Sequence, residues 1–287
     1  MALLVNEEMW FVDGAPLSTW AYSVESIGGR QGIPEMAGDN YQVPYRAGEV
    51  WRSKMPAART LSLGMWIRST DVNGLTSKTA TGRRAQFNEN FRFLKNIFYN
   101  RDRLLTVTKN VRFFNGVQAF TTQAECISTL EPQMTGPNFG KMVVDLKMVD
   151  PYWTTGSITT SMLPTLTGVT INNPGDDSTH RMTIQMTLIS GGGGTTTIKN
   201  MSFNPPLALN VTTPAVGAPW TIDVENFFLS RAGDLTTNWQ NSISRAGPSA
   251  FWFEFKKGDN LITVDSRFGQ GSFNNLQTAF TFYPLYI

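Results

Sequence analysis

The 287 residues contain a single cysteine, Cys126, and a single histidine, His180. One cysteine cannot close an intramolecular disulfide, so no covalent staple is expected in this fold. One cysteine and one histidine cannot build a Cys/His zinc site. Charge is also scarce. Only 16% of residues are charged, and the formal net charge is +2. The part before Pro151 carries 17 basic and 14 acidic residues; the part from Pro151 onward carries 7 and 8. Neither half has the basic excess of a nucleic-acid-binding domain. No apolar run approaches the roughly 20 residues of a membrane span. The opening MALLVNEEMWF has no basic n-region and reaches Glu7 and Glu8 at once. No signal peptide is expected, and synthesis and folding are expected in a cytosol.

Catalytic patterns are missing as well. There is no H-E-x-x-H helix and no G-x-S-x-G elbow. A Ser–His–Asp triad would have to use His180, at an expected loop-to-strand junction. A Cys–His pair would need Cys126 and His180 to meet across two domains, and a small buried hydrophobe is the better reading of Cys126. Gly191 to Gly194 is followed by TTTIKN, which is strand-like, so the run reads as a flexible hairpin loop rather than a phosphate cradle. Asp176 and Asp177 are adjacent in a turn context after Pro174-Gly175. Asp223 and Glu225 are two residues apart on a strand pattern. Spacing leaves a glycosidase pair open without singling one out. Oxygen ligands are plentiful, but no EF-hand-like run occurs. No catalytic set, cofactor site or metal site is expected, and the chain is not expected to be an enzyme.

Aromatic residues, by contrast, are abundant: 12% of the chain, with 19 Phe and 8 Trp. Large rings suit both β-structure and protein–protein contact. At about 100–200 residues per domain, the length predicts two domains. The boundary falls at Asp150-Pro151-Tyr152-Trp153, because Pro151 removes a ladder donor and the composition turns Thr/Ser-rich. The expected domains are 1–153 and 154–287.

In the first, Asp13-Gly14 reads as a hairpin turn. ARTLSLGMWIR alternates, with Leu61, Leu63, Met65 and Ile67 facing one way. KMVVDLKMV repeats the pattern with Met142, Val144, Leu146 and Met148. Further strands are expected at 103–108, 111–114 and 117–129. One helix is expected near 82–100, capped by Thr79 or Thr81. Its apolar stripe is Phe87, Phe91, Leu94 and Phe98. Arg83, Arg84, Arg92 and Lys95 would then face outward as a solvated or subunit-contacting surface.

The second domain carries many short strand patterns, of which RMTIQMTLI is the clearest, and reads as a helix-free β-sandwich. AFWFEF-KKGDN-LITVD predicts a hairpin with Phe251, Phe253 and Phe255 on one face. Trp239 and Trp252 are read as exposed rings suited to sugar stacking, or else as core or interface anchors.

Between the first strands lies GDNYQVPYRAGEVW, residues 38–51, inside a Gly- and Pro-rich irregular stretch spanning 25–50. Loops of that length are usually functional or lie against a partner. Tyr41, Tyr45, Arg46 and Trp51 are residue types enriched at interfaces, and Pro44 shapes the path between them.

The turn-bearing VDGAPLSTW, the G-x-x-Y-x-V-P-Y-R-x-G-E-x-W run, ARTLSLGMWIR, the single helix, VDPYW, the late W-F-x-F-x-x-G-D-N stretch and the terminal FYPLY form one arrangement. It resembles the distal tail proteins of long, non-contractile-tailed bacteriophages, often called minor tail proteins, across nearly the whole chain. The resemblance implies a mainly β fold: an N-terminal ring-forming domain with one α-helix, and a C-terminal galectin-like β-sandwich. It implies a ring, typically a hexamer, that continues the tail tube at the virion's tail tip. The partners implied are the chain itself, the tail tube protein, the tape-measure protein and tail hub or fibre proteins. No membrane and no specific nucleic acid is among them. Tyr41, Pro44, Tyr45, Arg46 and Trp51, with Arg84 and Arg92, are then expected at the subunit interface. His180-Arg181 does not sit in a galectin sugar-binding pattern, so the sandwich shape is expected without the lectin site. Two other readings stand beside this one: a carbohydrate-binding module for host-surface recognition, and a cell-wall hydrolase.

Overall fold

Alternating apolar residues put strands into sheets with one buried face, and this pattern organises both halves of the chain. The computed structural model describes residues 8–28, 35–37, 41–42, 49–50, 55–99, 102–136, 139–191, 194–212, 216–232, 234, 236–249, 251–267 and 275–287. The chain divides into two units, Met1–Trp153 (with Ile287) and Thr154–Tyr286.

The first unit is built on an antiparallel sheet. Its strands run in the order Ala15–Pro16, Glu8–Val12, Leu105–Phe113, Gly116–Cys126, Phe139–Met148, Arg59–Arg68, Tyr22–Gly28. The turn between the first two places Asp13 and Gly14 at φ +50° and +80°. Two successive positive φ values are the type I′ signature, which is why Asp-Gly closes the hairpin. The centre of the sheet is a ten-residue pairing from Arg59↔Met148 to Arg68↔Phe139. Leu61, Leu63, Met65 and Ile67 are buried on one face, beside Met142, Val144, Leu146 and Met148. Each such side chain contributes about 1.5–3 kcal/mol when fully removed from water.

The helix Ala80–Phe98 packs on that face. Thr79 caps it, its hydroxyl accepting the Gly82 N–H at 3.0 Å. The buried residues are Phe87, Asn90, Leu94 and Phe98, which corrects the expected stripe: Phe91 is half-buried on its flank. Asn90 takes the central place because strand-end carbonyls lie beneath it. Its side-chain amide donates to the Arg68 carbonyl at 2.7 Å and the Thr70 carbonyl at 2.8 Å. Gln86 in turn donates to the Asn90 carbonyl oxygen at 3.1 Å. Gly140 lets Phe87 approach closely, since a Cβ there would sit 3.2 Å from the Phe87 ring.

The second unit is a β-sandwich of two antiparallel five-stranded sheets. One runs Ile158–Met162, Asn275–Phe282, Met182–Ser190, Trp220–Asp223, Phe228–Arg231. The other runs Thr165–Asn173, Gly258–Asp265, Thr195–Asn200, Leu207–Thr212, Ile243–Ala246. The core between them includes Ile184, Met186, Ile198, Leu209, Ile222, Val264, Phe253, Phe255, Phe280 and Phe282.

Two expectations fail here. The segment around Phe251–Phe255 is not one arm of a hairpin with Gly258–Asp265. That strand already has a neighbour on each edge, Thr165–Asn173 and Thr195–Asn200. Phe253 and Phe255 are buried from a loop, and Phe255 bridges to Thr179. Asn260 shapes this loop: its side chain bonds the N–H and carbonyl of Lys256 and the carbonyl of Gly258. The Gly191–Gly194 run is not a hairpin loop either. It joins Met182–Ser190 in one sheet to Thr195–Asn200 in the other.

Candidate assembly surface

The stretch expected to be irregular doubles back on itself. Met36–Ala37 pairs with Met55–Pro56, and Tyr41–Gln42 pairs with Glu49–Val50, both antiparallel. These pairings set Tyr41 opposite Val50 and Gln42 opposite Glu49. Pro44, Tyr45, Arg46 and Trp51 lie outside the described residues. Arg84 and Arg92 are both exposed on the helix. They are eight residues apart, about 12 Å along the axis. Arg84 lies over the Phe87 ring at 5.7 Å and reaches the Met134 sulfur at 3.6 Å. No described contact joins either arginine to the 36–56 path.

A second feature of this unit was missed in the sequence. The strands Leu105–Phe113 and Gly116–Cys126 form a hairpin whose end is exposed on both arms from Arg112 to Ala119. Its tip is Phe113-Phe114-Asn115-Gly116, with Gly116 at φ +133°. Phe114 is fully exposed, and Phe113 and Val117 are exposed beside it. The FFNG sequence was the available signal: two aromatic residues against a turn pair have no interior to enter.

The sheet face turned away from the helix is also partly apolar. Val143 is exposed at 58%, and Trp66 packs on Phe139 with ring centroids 5.5 Å apart. Lys141 lies 4.3 Å over the Trp66 ring and 3.2 Å from the Glu25 carboxylate. Hydrogen bonding from Trp66, with Lys141 adding to it, holds the Glu25 carboxyl below its ordinary value. Ser62 donates to Asp145 on the same face. Exposed apolar groups gathered in one contiguous patch, rather than scattered singly, are the kind of surface that marks a contact site.

The groups weighed for chemistry have other occupations. Cys126 is half-buried, and burial pushes its thiol up. His180 stacks on Phe251 at 3.6 Å and 4°, and burial pushes it down, with Glu225 opposing. Glu225 pairs with Arg181 at 3.3 Å, whereas Asp223 accepts from the backbone and side chain of Asn226. Those two carboxylates face different partners and form no acid–base couple. Asp176 pairs with Lys257 at 3.7 Å, and Asp177 accepts from the Ser178 N–H. Among the described residues no group of three His, Cys, Asp or Glu is placed to hold a metal ion. No described helix is long and apolar enough to cross a membrane.

Trp239 is not an exposed platform. It packs on Trp220 at 5.8 Å, and its indole N–H is buried. Trp252 is half-buried, with Phe227 edge-on at 5.6 Å.

By class, then, this is a mainly β chain of two units, a helix-backed sheet and a sandwich. No family model and no curated protein sequence matches it. Among solved structures its fold is that of the SPP1 Dit (gp 19.1) protein, a paradigm of the hub adsorption apparatus in phages infecting Gram-positive bacteria. The TM-score is 0.65 at 13% identity, covering 96% of this chain and 98% of that one. Two structures of the phage p2 baseplate in its activated conformation, with Sr and with Ca, also align over 96% of the chain. Their TM-scores of 0.42 and 0.41, at 8% identity, are too low to bear on the fold.

Proposed function

We propose that the chain is a structural protein of a bacteriophage tail hub, acting by assembly rather than by catalysis. The observation that carries this reading is the whole-chain likeness to the SPP1 Dit fold, which spans both units and leaves almost none of either chain over. The hub role given for the SPP1 protein is the role assigned here.

In this reading the first unit forms a closed ring, with six copies expected, at the distal end of the tail tube. The second unit is a galectin-like sandwich. The ring joins the tube and tape-measure proteins to tail-tip or fibre proteins in the virion. A closed ring fits a surface of unpaired apolar groups, since each copy buries its neighbour's patch and no edge is left over. Phe113, Phe114, Val117 and Val143 supply such groups on the first unit. Burying a ring such as Phe114 stabilises an interface by about 2–3 kcal/mol. Tyr41, Pro44, Tyr45, Arg46 and Trp51 are assigned to the subunit interface, as are Arg84 and Arg92.

The test is a double variant, Arg46→Ala with Trp51→Ala, beside Phe114→Ser. Each is expected to shift the protein toward monomer while the far-ultraviolet circular dichroism stays that of the parent. Unchanged assembly in both would remove these segments from the interface.

A further inference from the structure

At the edge of the second unit a groove of about 300 Å³ is lined by Leu209, Ile243, Gln240, Asn241, Ser244, Arg245 and Trp252. That volume is at the lower end of small-molecule sites, about 300–1,000 Å³. Its lining has a particular chemistry: one aromatic side chain, two carboxamides, one hydroxyl, one guanidinium and no acidic group. The Gln240 and Asn241 side chains are exposed and have no hydrogen-bond partner among the described residues.

The segments that carry the lining residues are tied to their neighbours. Asn238 donates to the Phe227 carbonyl at 3.0 Å and accepts the Leu229 N–H at 3.1 Å. The Trp239 backbone N–H donates to the Leu229 carbonyl, and the Trp239 ring closes on Trp220. This anchors the short 3-10 turn Gln240–Ser242 that presents the two amides. Arg245 donates to the carbonyls of Ser249 at 3.0 Å and Phe251 at 3.3 Å, in the segment leading into Trp252. Phe227 buttresses Trp252 edge-on and adopts φ +53°. A left-handed backbone is uncommon for a bulky residue and is tolerated where the surroundings enforce it. The Asp223–Asn226 bonds of the preceding turn provide that enforcement.

We propose that this groove binds a pyranose sugar. A pyranose has an apolar C–H face and a rim of hydroxyls that both donate and accept. The C–H face suits the Trp252 ring, and the rim suits groups that also do both, as carboxamides and hydroxyls do. A metal cation finds no carboxylate here. A phosphate finds one guanidinium, already engaged with two backbone carbonyls. The proposal is separate from ring assembly, because every lining residue belongs to the sandwich unit.

The test is saturation-transfer NMR on the full chain, with the methyl glycosides of galactose, glucose and N-acetylglucosamine, and adenosine as the competing planar ligand. Transfer to pyranose ring protons is expected for at least one glycoside. Removing an amide should weaken it about fivefold in Gln240→Ala or Asn241→Ala, the worth of one net hydrogen bond. Trp252→Ala should weaken it about tenfold or more. Because Trp252 is half-buried, the Gln240→Ala/Asn241→Ala double variant, changed at two exposed positions, decides the matter if Trp252→Ala does not fold. Trp20→Ala, in the first unit, should change nothing. The proposal is overturned by no transfer from any glycoside at 10 mM (about the weakest affinity the method reads), by transfer indifferent to the double variant, or by adenosine binding in place of sugar.

Discussion

Replacing Asn90 with alanine should destabilise the first unit more than replacing the larger and more apolar Phe91. Asn90 is buried and donates to two carbonyls at the end of the central strand. Each such bond has a net worth of about 0.5–1.5 kcal/mol, and partly buried carbonyls left without a donor add to the loss. The higher helix propensity of alanine returns about 0.5 kcal/mol. The balance is a loss of about 2–3 kcal/mol. For a unit of this size that lowers Tm by roughly 5–10 °C. Phe91 is half-buried, so Phe91→Ala forfeits about 1 kcal/mol of apolar burial. Thermal melts followed at 222 nm report the first unit selectively, because Ala80–Phe98 is the one α-helix among the described residues. A larger drop for Phe91→Ala than for Asn90→Ala would refute the view that a polar anchor, not the apolar stripe, fixes the helix to the sheet.

Two further outcomes follow from half-buried titratable groups. The imidazole of His180 is held below its ordinary value by burial against Phe251, so between that lowered value and about 6.5 the unfolded chain binds more protons than the folded one. Stability of the sandwich should therefore fall as pH drops through that window, and His180→Phe, which keeps the stack, should flatten the slope in urea unfolding at pH 5.5–7.5. Cys126, its thiol raised by burial, should react with iodoacetamide at pH 8 more slowly than a free thiol and reach the free rate in urea. Equal rates in both states would return Cys126 to the list of reactive groups.

The sequence made the strands plain where alternation was the only constraint. Leu61, Leu63, Met65 and Ile67 are buried as their spacing requires, and the same holds for Met182, Ile184, Met186 and Leu188. Local chemistry also read well at Asp13-Gly14 and at Thr79. Failures came where a side chain answered to a distant backbone. Asn90 is buried because carbonyls some twenty residues away need donors. Phe253 and Phe255 alternate like a strand but reach the core from a loop, because the neighbouring strand has both edges filled. The groove was less visible still. Leu209, Gln240, Asn241, Ser244, Arg245 and Trp252 share no period, and folding alone brings them together. Of the two tryptophans read as stacking surfaces, the sequence could not tell that Trp239 closes on Trp220 while Trp252 borders the groove.

Assembly is the central claim, and the mass of the purified chain in solution tests it most directly. A protomer of 31.9 kDa that forms a closed ring should appear as one discrete species, about 190 kDa for six copies. Negative-stain images should show a central opening. A strictly monomeric protein, unchanged at high concentration and in the presence of tail tube and tail-tip proteins, would contradict the account.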